Sequence, residues 1–230
     1  CRIMRNRITN CGMGLSSQPG LGGPIYFIRN VMYNLGMAPF KLERHSVGNL
    51  FLHNTVVKTG DGLFEHHGQD AYFRAEWRNN LCIGGSGGGA RGRYNCGDGL
   101  AVGLIGFNPS CRLDHNAVGT SETAFAGMIG DKRFENVEQL NKLTGGKGNV
   151  RVDMSVFASG ADFPDPAYPS RDPVDLRIAE GSVAEDAAVL LPNINDDFTG
   201  QGPDMGAYEI GKPLPHYGPR PRGMDESTVH

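Results

Sequence analysis

The stretch Phe27-Ile28-Arg29-Asn30-Val31-Met32 decides the reading of this chain, because its core, basic-Asn-x-aliphatic, keeps returning. It recurs as Arg5-Asn6-Arg7-Ile8, His53-Asn54-Thr55-Val56, Arg78-Asn79-Asn80-Leu81 and His115-Asn116-Ala117-Val118. Taken through Asn6, Asn30, Asn54, Asn79 and Asn116, the spacings are 24, 24, 25 and 37 residues. The long last interval holds an insertion, 84–110, which opens on Gly84-Gly85-Ser86-Gly87-Gly88-Gly89. Two residues after each Asn runs an apolar row of Ile8, Met32, Val56, Leu81 and Val118. Two before it runs Met4, Ile28, Leu52 and Trp77, broken at Asp114. Apolar residues at alternate positions mark strands with one buried face.

A unit of about 24 residues is too short for a helical-hairpin solenoid and lacks helical periodicity. It suits one turn of a parallel β-coil, in which three short strands each stack on their counterparts above and below. The Asn column then has a physical reason. A lone amide at an inward bend is costly to bury, whereas stacked amides donate to one another, each bond contributing about 1 kcal/mol. Asn also tolerates the left-handed backbone of a tight bend.

Beyond Val118 the repeat is expected to stop. Phe134, Val137, Leu140 and Leu143 follow helical spacing up to Gly145-Gly146, predicting a short amphipathic helix with a glycine stop. Strand-like stretches follow at 150–156 and 174–178. The expected organisation is therefore all-β: coils over 1–118, a helix plus C-terminal cap over 119–210, and a Pro-rich disordered tail over 211–230.

Composition narrows the function classes. The 230 residues carry a net charge of −3, which gives no electrostatic footprint for nucleic acid. No apolar run approaches the roughly 20 residues of a membrane span. The 34 glycines and 14 prolines mark a turn-rich chain. It starts at Cys1 and enters patterned sequence at once, which reads as a piece of a longer chain rather than a lipidated N-terminus. The five cysteines lack CxxC spacing and paired His, so a zinc site is not expected. Cys82 and Cys96 flank the glycine-rich insertion and would close it as a disulfide in an oxidising compartment; alternatively Cys82, like Cys11, is a small buried side chain. The 84–92 run is no phosphate loop, since it lacks a Gly-Lys-Ser/Thr ending and a following helix.

The alternation with an Asn ladder resembles the right-handed parallel β-helix of the pectate-lyase-like proteins. The segments Gly23-Pro24-Ile25-Tyr26-Phe27-Ile28-Arg29-Asn30-Val31, Pro39-Phe40-Lys41-Leu42 and His53-Asn54-Thr55 are similar to repeats of bacterial secreted members. The end resembles their terminal segment through Asp175-Leu176-Arg177-Ile178, Leu191-Pro192-Asn193-Ile194-Asn195-Asp196-Asp197 and Gly202-Pro203-Asp204-Met205-Gly206-Ala207-Tyr208-Glu209. The resemblance covers about 1–210 and implies a single-stranded right-handed β-helix, secreted or at the cell surface. It further implies a monomer whose partner is a polysaccharide, acidic ones included. Fold analogy alone does not establish an activity.

By the same resemblance the ladder lies between the second and third strands, leaving the remaining strand of each coil at 14–18, 38–43 and 62–67. There a 24-residue register turns Phe40, Leu42, Phe64 and His66 inward. It places Lys41 and Glu65 in one outward column, Glu43 and His67 in the next, and Arg44 and His45 in the turn. That outer face is the family's substrate groove. Lys41, Glu43, Arg44, Glu65 and His67 suit β-elimination on a uronate, with a cation neutralising the carboxylate, a base taking the α-proton and Ca²⁺ held by carboxylates. Glu43 and Glu65 alternatively form the acid/base pair of a glycoside hydrolase. The bland alternative is a set of ordinary surface ion pairs. From another class comes a non-catalytic glycan-binding or surface-attachment module. Asn195, Asp196, Asp197 and Asp204 offer hard oxygen ligands for Ca²⁺, though Asn-Asp runs are also plain turn formers. The column Arg5, Arg29, His53, Arg78 and His115 faces outward, where it pairs with an acidic row or follows a polyanionic glycan.

Overall fold

The computed structural model describes residues 1–17, 23–42, 46–66, 72–86, 90–91, 94–95, 97–121, 124–167 and 170–217. Each of the first five coils contributes one short strand to each of three sheets. The first sheet takes Arg2–Met4, Ile25–Ile28, Asn49–Leu52, Glu76–Arg78 and Arg112–Asp114, in that order. The second takes Arg7–Thr9, Val31–Tyr33, Thr55–Val57, Leu81–Gly84, Ala117–Thr120 and Val150–Val152. The third takes Leu15–Ser16, Phe40–Lys41, Leu63–His66, Val102–Leu104 and Gly127–Ile129, all parallel, and ends on the antiparallel strand Lys132–Phe134. Successive coils therefore stack strand upon strand, an arrangement compatible with a β-helix.

Alternation along each strand decides what fills the interior. In the first sheet Ile3, Phe27, Phe51, Trp77 and Leu113 stand in register and pack into one core. Their rings stack along the coil axis: Phe27 on Phe51 at 5.0 Å and 3°, Phe51 on Trp77 at 5.2 Å and 13°. Offset ring pairs of this kind add about 0.5–1.5 kcal/mol beyond burial. This corrects the expected inward row, since Trp77 opposes Phe51 rather than Leu52, and Met4, Ile28 and Leu52 belong to the opposite face. From the second sheet Ile8, Met32, Val56, Cys82 and Val118 share a row, and all five pack in or against this core.

The Asn ladder is present with one member corrected. It runs Asn6, Asn30, Asn54, Asn80, Asn116 and on to Asn149; Asn79 is not in it. Each Oδ1 accepts both the backbone N–H and the side-chain Nδ2–H of the preceding rung, as in Asn54 to Asn80 at 2.9 Å each. The Nδ2 groups of Asn30, Asn54, Asn80 and Asn116 also donate to the carbonyls of Ile3, Phe27, Phe51 and Trp77. The coil from Asn54 to its ladder partner is 26 residues long, so the dipeptide Arg78-Asn79 imitates the motif one position early. Asn79 instead occupies the left-handed bend before the ladder, in line with Arg5, Arg29, His53 and His115, all at φ between 51° and 58°. Such backbone costs roughly 1–2 kcal/mol per non-glycine residue, and the ladder bonds offset it.

Because Asn149 continues the ladder, the coils persist past Val118. A helix, α1 (Val137–Thr144), takes the place of a first-sheet strand in the last coil. Asn136 caps it by accepting from Gln139 N, and Gly145 at φ 68° ends it. Leu140 enters the core, and Asn141 Oδ1 receives the last ladder amide, Asn149 Nδ2, at 2.6 Å, so helix and ladder close together.

From Asp153 the chain turns back along the outside. Among its described residues the only strand pairing is the bridge between Phe157 and Ile178, so the strand expected over 174–178 is reduced to a single bridge. Val156, Phe157, Leu176, Ile178, Met205, Ala207 and Tyr208 cover the outward residues Val31, Tyr33, Val57, Leu81, Ile83 and Ala117 of the second sheet. This C-terminal strap reaches the first coil, where Asn10 Nδ2 donates to Arg171 O and Arg7 to Val174 O. Residues 211–217, expected to be disordered, pack as well, with Tyr217 OH donating to Tyr208 OH at 2.9 Å; 218–230 lie outside the described residues. Among the described residues no helix is long and apolar enough to cross a membrane.

The insertion carries a two-stranded antiparallel ribbon, Ala90–Arg91 with Tyr94–Asn95. Its return is pinned by Asp61, whose Oδ1 accepts from Asp98 N and Leu100 N at 2.8 Å. Cys82 is a free thiol within the core between Val56 and Val118, which corrects the disulfide reading; Cys96 lies outside the described residues.

Candidate functional site

The outer face of the third sheet departs from expectation at one residue. Phe40 pairs with Glu65 and Lys41 with His66, a 25-residue step. The turn between Val57 and the third sheet is one residue longer than its counterpart after Tyr33, and a one-residue slip reverses every side chain. Glu65 is therefore inside, 2% exposed, not in an outward column with Lys41. Its Oε1 accepts from Gly106 N at 2.8 Å and Tyr72 OH at 3.3 Å, while Oε2 is buried without a partner. Burial pushes its carboxyl up to about 8. Phe64 lies on the other face, 5.7 Å from the buried Lys58 Nζ, and Lys41 shares its column with Ser16. Glu43, Arg44, His45 and His67 lie outside the described residues.

The strap engages the proposed Ca²⁺ ligands in other ways. Asn195 is fully buried, its Oδ1 accepting from Leu191 N at 2.7 Å and its Nδ2 donating to His53 Nε2 at 2.8 Å. Asp204 accepts from Asp186 N and Ile210 N, and Asp196 accepts from Asn193 N. Asp197 lies 3.6 Å from Lys212 Nζ. Among the described residues no three His, Cys, Asp or Glu side chains gather so as to hold a metal ion.

Where the strap crosses the bend column it meets His53. That ring is 0% exposed; Nδ1 faces Gly206 O at 3.2 Å, and Nε2 faces the amides of Asn79 and Asn195 at 2.9 and 2.8 Å. Two amide donors at Nε2 require a lone pair there, so the proton sits on Nδ1. Burial, with help from Arg29, lowers the ring's pKa to about 3. Asn79 completes the junction by exchanging hydrogen bonds with Val189 and accepting from Gly206 N.

On the two preceding rungs the same column opens onto a cleft of about 720 Å³. Arg5 and Arg29 form one wall; Asp196, Asp197, Tyr208, Glu209 and the run 212–216 form the other. Among the described residues neither guanidinium has an ion pair or a side-chain hydrogen bond. Burial lowers the Arg29 pKa, opposed by the carboxylates of Asp197 and Glu209. Glu209 accepts from Thr199 N and Asp204 N, each at 3.2 Å, and burial pushes its carboxyl up to about 7. The carboxylates lining the cleft thus accept backbone N–H groups or, for Asp197, lie beside Lys212, while those of Asp197 and Glu209 also favour the Arg29 cation.

No family model matches the chain, and no curated protein or solved structure is significantly similar to it. Sequence reasoning found the outward basic column but not the cleft, whose second wall comes from some 190 residues away. Arg78, assigned to that column, instead lies one position earlier and pairs with Asp114 at 3.0 Å. The advance signals were the terminal stretch through Tyr208-Glu209, read for architecture, and Asp196 and Asp197, read as Ca²⁺ ligands rather than as a wall facing the arginines.

Proposed function

We propose that these coils form a right-handed parallel β-helix of the pectate-lyase-like kind, and that it binds polysaccharide outside the cell or at its surface. Supporting the fold are three strands per coil and a continuous Asn ladder. The observation that carries the function is the cleft along two rungs, where Arg5 and Arg29 face a mixed wall of carboxylates (Asp196, Asp197, Glu209) and the apolar side chains Pro213, Leu214 and Pro215. Sugars combine ring faces that pack on such walls with polar rims that need fixed donors. A lyase or hydrolase acting on the third sheet's outer face is the second reading. Half-buried Lys41 in its outward column favours it, while the inward Glu65 removes one of its two carboxylates. The test is retention of the whole chain on immobilised acidic and neutral polysaccharides, scored in parallel for unsaturated uronates and new reducing ends. Retention without turnover is the expected result; turnover lost in Lys41→Ala would establish the second reading, and neither retention nor turnover would overturn both.

A further inference from the structure

We propose that the chain cuts its own backbone between Asp165 and Pro166: the Asp165 carboxylate attacks its own main-chain carbonyl while the Arg171 guanidinium holds the oxyanion. The proposal is independent of the polysaccharide reading and concerns the covalent continuity of the strap.

Two side chains converge on this one peptide bond. Arg171 Nη2 donates to Asp165 O at 3.0 Å and to Pro166 O at 3.2 Å. Ser86 Oγ, near the start of the insertion, donates to Asp165 Oδ2 at 2.6 Å. Among the described residues the other carboxylate oxygen, Oδ1, accepts no hydrogen bond, and Arg171 Nε is buried without a partner. The segment is clamped on both sides. Tyr33 OH donates to Asp162 O at 3.0 Å, and Asn10 exchanges hydrogen bonds with the Arg171 backbone at 2.8 and 3.0 Å. The Phe163 ring lies against Gly85, and Ala167 is buried. Asp165 and Pro166 between them are exposed, so water reaches the bond.

An Asp-Pro bond is the peptide bond whose chemistry these contacts suit. An aspartate carboxylate closes a five-membered ring on its own carbonyl carbon, and the tertiary proline nitrogen is a more basic leaving group than an ordinary amide nitrogen. Asp165 Oδ1 forms a bond to Asp165 C, and the charge that gathers on Asp165 O is met by the guanidinium. The C–N bond then breaks, its electron pair stays on Pro166 N, and that nitrogen takes a proton from solvent. A cyclic anhydride remains on Asp165, and a water molecule opens it to two carboxyl groups. The sum is hydrolysis, with one water consumed. Holding nucleophile and carbonyl in one clamped turn removes much of the entropic cost of reaching this geometry. Residues 166–230 then stay on the coils through non-covalent contacts alone, among them Arg7 with Val174 O and His53 with Gly206 O. An arginine that only braced the turn would leave this bond as stable as the second Asp-Pro bond of the strap, Asp172–Pro173.

That second bond is the internal control for the test, which is prolonged incubation of the purified whole chain at mildly acid and neutral pH with protease inhibitors present. Intact-mass spectrometry should show fragments 1–165 and 166–230 forming with a rate constant independent of protein concentration. The cut should be about tenfold or more faster than cleavage at 172–173, and in denaturant the two bonds should cleave at similar rates. Arg171→Gln should slow the 165–166 cut about 100-fold, as loss of one oxyanion donor does, and Arg171→Lys should slow it less. Asp165→Ala should abolish it. Thermal melts report whether each variant folds, and the 172–173 rate in each reports whether the strap has merely loosened. Equal rates at the two bonds in the folded chain, a rate indifferent to Arg171→Gln, or a chain that stays intact throughout would each overturn the proposal and leave the polysaccharide reading untouched.

Discussion

Replacing Glu65 by Gln tests the inward register directly, because a buried carboxyl and an outward one respond oppositely to pH. In the folded chain the Glu65 carboxyl is held up to about 8, with burial the largest cause, against an ordinary value of 4.5. A folded value above the unfolded one means that the native state holds the proton more tightly. Stability from this group is therefore full below about pH 4.5 and is lost as pH rises toward 8. Each pH unit within that window corresponds to about 1.4 kcal/mol, so the step from pH 5 to pH 8 costs at most about 4 kcal/mol. Gln keeps the shape and the contact with Gly106 N but does not titrate. Denaturant unfolding at pH 5, 7 and 8 should show the Glu65→Gln chain gaining on the parent by about 1 kcal/mol or more per pH unit. His53 and Glu209 titrate in both chains and cancel in the difference. Parallel profiles would refute the reasoning and return Glu65 to the solvent face.

Further outcomes follow from the same geometry. Asn80→Ala removes the acceptor shared by Asn54 N and Nδ2, and should destabilise the fold by about 3 kcal/mol in denaturant titration. A cost below 1 kcal/mol would place the rung elsewhere. His53, with its folded value lowered to about 3 from 6.5, stabilises the strap above pH 6.5 and loses that contribution as pH falls. Between pH 6.5 and 5 this amounts to about 1.6 kcal/mol, so exchange protection of the Val189 and Gly206 amides should drop roughly 15-fold. Constant protection would contradict a neutral imidazole. Cys82 should resist thiol reagents in the folded chain while exposed Cys1 reacts, as mass spectrometry would report.

The ladder at Asn6, Asn30, Asn54 and Asn116 was legible because each Asn follows a basic residue and precedes, by two positions, an apolar one of the inward row Ile8, Met32, Val56 and Val118. The helix at 137–144 was legible through its spacing and its Gly145 stop. Two one-residue slips were not. At 79–80 a second Asn offers a better-looking motif one position early, and at 64–65 an added turn residue leaves the strand's own pattern unchanged. Strand alternation has period two, so neither slip disturbs local hydrophobicity while both reverse the faces. The strap was recognised as a terminal segment, but its path was invisible: an extended chain without strand pairing is held only by distant partners such as Thr55, which accepts from Ala207 N at 2.8 Å. The cleft inherits that limit, since Arg5 and Glu209 meet only after the strap has folded back.

A crystal structure refined far enough to orient amide side chains would test the stacked-coil account most directly. The account predicts one column of Asn6, Asn30, Asn54, Asn80, Asn116 and Asn149, with the Asn54 Nδ2 to Asn80 Oδ1 contact near 2.9 Å and Asn79 turned to His53. Density that put Asn79 in that column, or carried successive Asn residues on unstacked segments, would contradict it.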